Sequence, residues 1–403
     1  MKEVYLCDAV RTAHGSFCGA LKDYPSSALG SITIQALKKN CRFPTRLVKG
    51  VFMGQVLTAG EGQNPARHAA LDAGLGIECE AETFNKVCSS SLAALRHAVN
   101  MIRLGEAHAM IAGGMENMSR APYLARRTAK RLGDETVSSL YIKSGDEASQ
   151  RVAYDSMIHD GLTEPSVAER PHMGVIAEMC ARDNLITREE QEDFAYESFA
   201  RAHASEALHA MMIEPILRKA SPSFMYDEGI REPNRGAMLK LGPAFSPGGT
   251  ITAATSSQIA DGASALLLAD AHAIKHSKAD CLAYVRDCAV FSQDPSWYTT
   301  APVGAIEKLL AKNKLTIADI DLFEINEAFA VIPLYAMHTL GIPHEKVNVW
   351  GGSIAIGHPL GASGTRIVGQ LALQLRDLNK RRGIAVACNG GGEAVAVLLE
   401  AVE

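Results

Sequence analysis

The chain has 403 residues, with 40 basic and 45 acidic side chains, and its formal net charge at pH 7 is -5. This length exceeds the size to which one hydrophobic core usually grows, so two or three domains are expected. Because neither sign of charge forms a long run, the composition excludes an extended nucleic-acid-binding surface.

The cysteines and the apolar runs narrow the class of protein further. Nine cysteines occur without a CxxC pair or regular spacing, which argues against a disulfide framework or a zinc cluster and favours a reducing compartment. The N-terminal residues MKEVYLCDAVRT lack the successive basic, apolar and cleavable sections of a signal peptide. No apolar stretch approaches the length of about 18 residues that spans a bilayer. We therefore expect a cytoplasmic protein without a membrane span or a metal site.

Along the chain, short β-branched runs alternate with helical patterns, which is typical of an α/β protein with buried sheets. One helical pattern begins with Thr187 followed three residues later by Glu190, a capping-box arrangement. The predicted helices cover residues 28–40, 186–208 and 365–380, and the predicted strands cover 108–114, 265–270, 347–350 and 384–392.

The two halves of the chain repeat one order of elements. In the first half, Cys88 precedes a helical pattern, a turn and the strand at 108–114. In the second half, the segment GHPLGASG (357–364) precedes a helix, a turn and the strand at 384–392. This order indicates a duplicated unit, with coincidence as the alternative. Residues 121–258 are richer in charge, Met, Pro and Gly, and we interpret them as an inserted lobe that covers one face of the core.

Cys88 lies in the segment NKVCSSS (85–91), directly before a run in which Leu92, Leu95 and Val99 recur at helical spacing. Two interpretations are open at this point. The cysteine is either a small buried hydrophobe or a thiolate that the helix N-terminus stabilises for use as a nucleophile.

Three further segments carry residue types suited to chemistry. His358 stands between Gly357 and Pro359, which constrain the turn that presents the imidazole, although a lone histidine is more often structural. Cys388 ends an apolar strand and precedes three glycines, whose N–H groups can approach a ligand or an oxyanion closely. Asn326 precedes a helical pattern and is either a helix N-cap or an amide that orients a water or a histidine.

Taken together, these segments closely resemble the thiolase family over nearly the whole chain. The resemblance rests on motifs that occur in the order of the family, namely DAVRT (8–12), GQNPARHAAL (62–71), NKVCSSS, AGGMENMS (112–119), HMGVIAE (172–178), TITAATSS (250–257), NEAF (326–329), GHPLGASG and CNGGG (388–392).

The resemblance implies an α/β fold of five layers, αβαβα, in which two similar βα halves pack helix against helix. A loop domain inserted from the first half covers the active site. The implied division gives residues 1–120 with 259–281 to the N-terminal half, 121–258 to the inserted loop domain and 282–403 to the C-terminal half.

The resemblance also implies a reaction. Two acetyl-CoA would condense to acetoacetyl-CoA and CoA, or CoA would cleave a 3-ketoacyl-CoA. Cys88 would carry the acyl group, His358 would take its proton, and Cys388 would remove the α-proton of the second acetyl-CoA. His358 with a water held by Asn326 would form one oxyanion hole, and the N–H groups of Cys88 and Gly390 the other. No cofactor is implied, because CoA is part of the substrate.

CoA thioesters are the implied partners, and further residues match positions along their binding tunnel. Ser257 would contact the pantetheine arm. The residues implied at the pantetheine and acyl end of the tunnel are His172, Met173, Phe245, Ala328 and Phe329.

Two sequence features favour different acyl-chain lengths for the substrate, and therefore different types of thiolase. A methionine wall at Met173 would exclude long acyl chains and favours the short-chain, acetoacetyl-CoA type, whereas TSSQIADGAS (255–264) favours the broad-chain degradative type. Ala394 departs from the glycine that usually ends the last motif. The segment 121–170 is longer and more basic than expected, and it matches the region that helps form the tetramer in biosynthetic members, which leaves the oligomeric state open. A homo-oligomer is predicted, with a tetramer favoured over a dimer.

Other classes remain as alternatives. A ketoacyl synthase would need a second histidine where Asn326 stands, and a cysteine hydrolase would have no use for Cys388. An inactive homologue that serves as a lipid carrier or structural subunit is disfavoured because Cys88, His358, Cys388 and Asn326 are all present.

Overall fold

The computed structural model describes residues 2–40, 43–125, 153–218, 221–277 and 279–402. Most of the unusual segment 121–170 therefore lies outside the described residues. The strands are β1 Tyr5–Arg11, β2 Gly15–Ser16, β3 Val48–Gly54, β4 Glu80–Phe84, β5 Ala109–Asn117, β6 Tyr123–Ala125, β7 Ala153–Asp155, β8 Ile216–Arg218, β9 Ser221–Phe224, β10 Ala260–Ala269, β11 Ala283–Ser292, β12 Leu322–Ile325, β13 Arg382–Asn389 and β14 Glu393–Ala401.

The α-helices alternate with these strands in both halves of the chain. They are α1 Ser26–Asn40, α2 Pro65–Asp72, α3 Ser90–Leu104, α4 Met173–Asp183, α5 Arg188–Ala204, α6 Glu206–His209, α7 Arg235–Met238, α8 Ala271–Lys275, α9 Ala301–Asn313, α10 Val331–Leu340, α11 Ser353–Ile356 and α12 Ser363–Asp377. Across the described ranges, no helix combines the length and the apolarity that crossing a membrane requires.

Ten of the strands form one continuous sheet in the order β12-β13-β14-β11-β1-β10-β5-β3-β4, with β2 paired to β10. The two halves of this sheet meet where β1 and β11 pair, through Tyr5 with Tyr284 and Leu6 with Ala283. Parallel pairing occurs between β3 and β4, β3 and β5, and β12 and β13. The pairs β6–β7 and β8–β9 are separate and antiparallel.

Helices α3 and α12 form the central layer between the two halves of the sheet. Helix α3 packs on β3 and β5, and α12 packs on β12 and β13. Helices α1 and α2 cover the outer face of the first half, while α9, with α10 packed on it, covers the outer face of the second. Along β10, Leu266 and Leu268 face the central helices, whereas Ala265 and Leu267 face α1. These five layers confirm the predicted fold.

The local predictions are mostly confirmed, with one exception. Thr187 and Glu190 form the predicted capping box at the start of α5. The predicted strand at 347–350 is wrong, because Asn348 adopts a left-handed backbone with φ of 48°. Its side chain accepts from the N–H of Ile325 (2.8 Å) and donates to the carbonyl of Ile325 (2.9 Å). A side chain therefore makes the contacts that a further strand would have made to the end of β12.

A buried ion pair joins β1 to Asp227, a residue of the predicted inserted lobe (121–258). Arg11 donates through Nη1 (2.6 Å) and Nη2 (2.8 Å) to the two carboxylate oxygens of Asp227. The backbone N–H of His14 donates to the same carboxylate (2.7 Å). Burial by itself would raise the pKa of Asp227, but the charge and hydrogen bonds of Arg11 outweigh it and hold this pKa well below its ordinary value.

The buried His209 lies near this ion pair and gives a pH-dependent prediction. Burial, followed by the charge of Arg11, lowers the pKa of His209 from 6.5 to about 4. His209 therefore binds a proton less readily in the folded protein than in the unfolded chain. Its contribution to the free energy of unfolding is fully present above pH 6.5. As the pH falls from 6.5 to 4, we expect the free energy of unfolding to lose about 1.4 kcal/mol per pH unit through this residue.

Urea unfolding of the protein and its His209→Gln variant between pH 7.5 and 4.5 checks this expectation. Glutamine keeps a donor for the carbonyl of Trp350, which His209 Nε2 contacts at 2.9 Å. The stability difference between the two proteins should change with pH only below 6.5. Parallel stability curves for the protein and His209→Gln would contradict the assignment.

Candidate active site

Most of the predicted site residues line one mainly apolar cavity of about 350 Å³, which is the form expected of a small-molecule site. Asn326 lies beside it and reaches it through His358, and Gly390 follows two residues after Cys388. The predicted residues in the lining itself are Cys88, His172, Met173, Phe245, Ser257, Ala328, Phe329, His358 and Cys388.

A tight turn between β4 and α3 presents Cys88 to the cavity. Val87 has φ of 48°, a left-handed conformation that is rare for a β-branched residue and is retained where surrounding structure enforces it. The hydroxyl of Ser89 donates to the carbonyl of Ala387 (2.8 Å). Because Ala387 precedes Cys388 on β13, this bond holds the turn next to the second cysteine.

The surroundings of both cysteines keep their thiols protonated at neutral pH. Burial raises the pKa of Cys88 to about 12 and outweighs its own backbone N–H, which lowers it. The prediction that the helix N-terminus leaves this thiol with a lowered pKa is therefore wrong. Cys88 precedes the N-cap residue Ser89, and desolvation by the surrounding protein dominates although part of its surface stays accessible. Burial, with Cys88 as the second cause, raises the pKa of Cys388 well above its ordinary value. Each thiol needs a base.

His358 lines the same cavity as the two thiols. Gly357, with φ of 100°, turns the chain in a way that favours glycine, and the N–H of His358 donates to the carbonyl of Gln258 (2.9 Å). The Nδ1 atom of His358 lies 2.6 Å from Ser363 Oγ. Burial, followed by the charge of Arg366, lowers the pKa of His358 to about 3. The imidazole is neutral at pH 7 and can accept a proton.

Asn326 follows the last residue of β12, and its N–H donates to the carbonyl of Val386 (2.9 Å). Its Nδ2 atom lies 3.3 Å from His358 Nε2, and its Oδ1 atom accepts from Ser353 Oγ (2.7 Å). The alternative that Asn326 caps the next helix is wrong, because that helix begins at Val331. The amide orients the histidine side chain instead.

The glycines of the CNGGG turn serve different purposes. Gly391 and Gly392 have φ of 86° and 78°, and a Cβ atom on Gly392 would lie 2.3 Å from the carbonyl oxygen of Gln293. These two positions need glycine for the backbone to fold. A Cβ atom on Gly390 would make an ordinary contact of 3.6 Å with Met173 Cε. Glycine at 390 therefore keeps space free next to the cavity wall.

Aromatic side chains build the far wall of the cavity. The ring of His172 stacks on Phe245, with centroids 5.1 Å apart and an interplanar angle of 18°, and Phe245 meets Phe329 edge-on at 5.5 Å. The N–H of Ser257 donates to the carbonyl of Ala328 (3.0 Å), which fixes two lining segments to each other. Burial lowers the pKa of His172, so this ring presents no charge to a ligand at neutral pH.

Comparison with known proteins identifies the family. The thiolase N-terminal domain matches residues 4–272, and the thiolase C-terminal domain matches residues 279–401. The chain belongs to the thiolase family. The predicted membership is confirmed.

Individual members of the thiolase family match along their whole length. The acetyl-CoA acetyltransferase of Cupriavidus necator is 40% identical over 409 residues, covering 99% of this chain and 100% of the relative. The mitochondrial acetyl-CoA acetyltransferase A of Xenopus laevis is also 40% identical, covering 99% of this chain and 92% of the relative. Human mitochondrial 3-ketoacyl-CoA thiolase has a TM-score of 0.91 at 32% identity, covering 100% of this chain and 99% of the human one.

A second solved structure extends this comparison. The Acat5 thiolase of Ascaris suum, determined in complex with coenzyme A, has a TM-score of 0.88 at 34% identity and covers 100% of both chains. The five-layer fold is therefore shared with thiolase structures over the full length of this chain.

Two residues that the sequence did not single out also shape the site of this thiolase. The hydroxyl of the buried Tyr298 lines the cavity and donates to the carbonyl of Met173 (3.0 Å). Glu164 accepts from the N–H of Gly391 (2.6 Å) and so holds the glycine turn. The first contact joins residues that are 125 positions apart in the chain, and the second joins residues that are 227 positions apart. No sequence motif indicates either contact.

Proposed function

We propose that this thiolase is an acetyl-CoA C-acetyltransferase, which condenses two acetyl-CoA to acetoacetyl-CoA and CoA or catalyses the reverse thiolysis. The observation that carries the proposal is the convergence of Cys88, His358, Asn326 and Cys388 at one apolar cavity. Relatives named acetyl-CoA acetyltransferase, 40% identical over nearly the full length, support the same activity.

In the first half-reaction, His358 takes the proton from Cys88 as the sulfur attacks the thioester carbonyl of acetyl-CoA. The bond between the acetyl carbon and the CoA sulfur breaks, and the departing CoA thiolate takes up the proton that His358 received, so His358 becomes neutral again. An acetyl thioester on Cys88 remains. The protonated thiol and neutral imidazole of the resting state fit this sequence, because proton transfer and attack occur together.

In the second half-reaction, Cys388 first loses its thiol proton to the neutral His358, and the resulting thiolate removes an α-proton from another acetyl-CoA. The enolate that forms attacks the acetyl carbon on Cys88. A carbon–carbon bond forms, the bond to the Cys88 sulfur breaks, and that sulfur recovers a proton from His358. Because the pKa of Cys388 is raised well above its ordinary value, its thiolate is a strong base once formed.

Negative charge develops at two oxygen atoms along this route. We assign the enolate oxygen to His358 and a water held by Asn326, and the tetrahedral intermediate to the N–H groups of Cys88 and Gly390. Removing one donor of this kind typically costs about 3 kcal/mol in the barrier.

We assign the pantetheine arm to the side of the cavity near Ser257 and Phe245, and the acyl group to the end near Met173. The preference for a short acyl group follows from the bulk around Met173, which has Tyr298 hydrogen-bonded to its carbonyl. Cleavage of 3-ketoacyl-CoA esters of four, eight and sixteen carbons, compared as kcat/KM, tests this proposal. Activity that is comparable or rises with length would instead identify a broad-chain 3-ketoacyl-CoA thiolase, the activity named for the human structural relative. No cleavage of any ester would revive the inactive homologue.

The Met173→Ala variant probes the acyl end directly. Removing the side chain opens space beside Gly390, so we expect the ratio of kcat/KM for the eight-carbon over the four-carbon ester to rise at least about tenfold. The exposed Met211 provides the matched control, Met211→Ala, for which the ratio should be unchanged. An unchanged ratio in Met173→Ala would remove Met173 as the determinant of chain length.

The domain boundaries, the oligomeric state, the location in the cell and the absence of a cofactor are also proposals. We propose that the chain is divided into an N-terminal half (1–120 with 259–281), an inserted loop domain (121–258) and a C-terminal half (282–403). The Arg11–Asp227 ion pair would link the N-terminal half to the inserted loop domain. We also propose assembly as a homotetramer, a cytoplasmic location, and catalysis without a cofactor apart from the CoA carried by the substrate.

A further inference from the structure

A continuous set of hydrogen bonds leads from the central helix α12 to the imidazole of His358. Arg366 Nη2 donates to Ser353 Oγ (3.0 Å), and Ser353 Oγ donates to Asn326 Oδ1 (2.7 Å). Asn326 Nδ2 lies 3.3 Å from His358 Nε2. All four residues are buried, with at most 3% of their surface exposed. Bulk solvent therefore does not compete for the partners of Arg366 and Ser353, whose exposed fraction is 0%.

The guanidinium group of Arg366 determines which atom donates and which accepts in each of these hydrogen bonds. A guanidinium group donates and never accepts, so Ser353 must use its oxygen to accept from Arg366. The hydroxyl proton of Ser353 then points to Asn326, which must present its carbonyl oxygen. The amide nitrogen of Asn326 is left facing His358 Nε2, where a donor requires an unprotonated nitrogen.

A second set of bonds, on the other side of the imidazole, leads to the same conclusion. Ser363 Oγ donates to the carbonyl of Pro359 (2.9 Å), which can only accept. The oxygen of Ser363 is therefore the acceptor for His358 Nδ1, 2.6 Å away, and Nδ1 carries the proton. One set of bonds starts at a group that can only donate and the other ends at a group that can only accept. Both sets leave Nε2 without a proton.

Arg366 is itself held firmly. Its Nη1 atom donates to Gln370 Oε1 (3.2 Å), and Gln370 Nε2 donates to Glu324 Oε1 (3.0 Å). Gln374 Nε2 donates to the same carboxylate oxygen (2.8 Å). The start of the hydrogen-bond set is thus anchored in the core, between α12 and the end of β12.

We propose that Ser353 and Ser363 are positioning residues that hold His358 as the Nδ1–H tautomer, with Nε2 free to take the proton of Cys88, and that Arg366 sets the direction through Ser353. This inference deepens the proposed function and rests on it for the identity of the proton that Nε2 receives. The tautomer itself is independent of the reaction.

Nitrogen-15 NMR of the full-length protein labelled at histidine, recorded at pH 7.5, tests the tautomer. The His358 signals are identified by their loss in His358→Asn. We expect a protonated Nδ1 and an unprotonated Nε2 in the unsubstituted protein, and a gain of the Nε2–H form in Ser353→Ala and in Ser363→Ala. A protonated Nε2 in the unsubstituted protein would overturn the proposal, whether or not the protein is active.

Steady-state thiolysis of acetoacetyl-CoA supplies the second readout. In both serine variants kcat should fall about 10- to 100-fold, since the base is misplaced, while KM stays within about threefold because CoA contacts are untouched. The control is Thr33→Val on α1, which removes an equally buried hydroxyl that donates to the carbonyl of Gly30 (2.8 Å). It should leave kcat and the spectra unchanged. Serine variants with kcat within twofold of the parent and unaltered spectra would refute the positioning role, whereas an unsubstituted protein with no thiolysis refutes the proposed function alone.

Discussion

Replacement of Cys88 by alanine is expected to lower kcat/KM for thiolysis of acetoacetyl-CoA by on the order of 10⁴-fold or more, because Cys88 carries the acetyl group as a thioester in the proposed reaction. The fold should be unaffected, since the Ser89 hydroxyl still anchors the turn to Ala387. Initial rates measured with purified protein, together with a thermal melt, separate loss of chemistry from loss of structure.

The Cys388→Ala variant makes the matched comparison. It should lose turnover to a similar extent and still accept one acetyl group from acetyl-CoA at Cys88, because the first half-reaction uses His358 and not Cys388. Mass spectrometry of peptides after incubation with labelled acetyl-CoA measures this directly. Label that persists on the same peptide in Cys88→Ala would overturn the assignment of the nucleophile.

The second large effect is expected on stability, in Asp227→Ala. This change leaves the guanidinium of Arg11 buried and without its carboxylate, and breaking a buried pair in this way typically costs about 3–5 kcal/mol. The N–H of His14 loses an acceptor at the same time. The midpoint of urea unfolding should fall accordingly, and the segment around residue 227 should become sensitive to proteolysis, because the ion pair ties it to β1.

Two further variants define the origin of that loss. The double variant Arg11→Met with Asp227→Ala removes both charges and should be more stable than Asp227→Ala alone, since no unpaired charge remains in the core. The exposed pair of Lys22 and Asp23 (2.8 Å) provides the surface control, and Asp23→Ala should change stability little. If the double variant is no more stable than the single one, the unpaired charge is not the cause.

The two effects are connected through the architecture. Arg11 lies on β1, at the junction of the two halves of the sheet, and Asp227 lies in the segment that also contributes Phe245 and Ser257 to the cavity. The buried charge pair therefore fastens one wall of the active site to the scaffold. Its removal should also weaken substrate binding at temperatures where the protein remains folded.

Much of the fold and most of the candidate site could be predicted from local patterns. The apolar spacing and the Thr187–Glu190 capping box identify α5, and the long apolar run after GHPLGASG identifies α12, because these signals depend on neighbouring residues in one helix. The motifs around Cys88, His358 and Cys388 identify the family, and the cavity contains all three.

The errors have a common physical origin in contacts between distant segments. Residues 347–350 have the composition of a strand, but the Asn348 side chain bonds to Ile325 and ends the pairing. Asn326 has the residue type and position of a helix cap, yet Ser353, 27 positions away, takes its oxygen. A thiol before a helix would have a lowered pKa in water, whereas burial raises that of Cys88 to about 12.

The sequence by itself determined the family, the order of helices and strands and the residues able to do chemistry, because short motifs and periodic spacing record these directly. The tertiary structure alone decided which groups meet. It joins Tyr298 to the carbonyl of Met173 and Glu164 to the glycine turn, and it fixes the direction of the hydrogen bonds around His358. It also raises the pKa of both thiols, because protein replaces much of the water around them. Desolvation and hydrogen-bond direction depend on every neighbour in space, and those neighbours are brought together only when the two halves pack on α3 and α12.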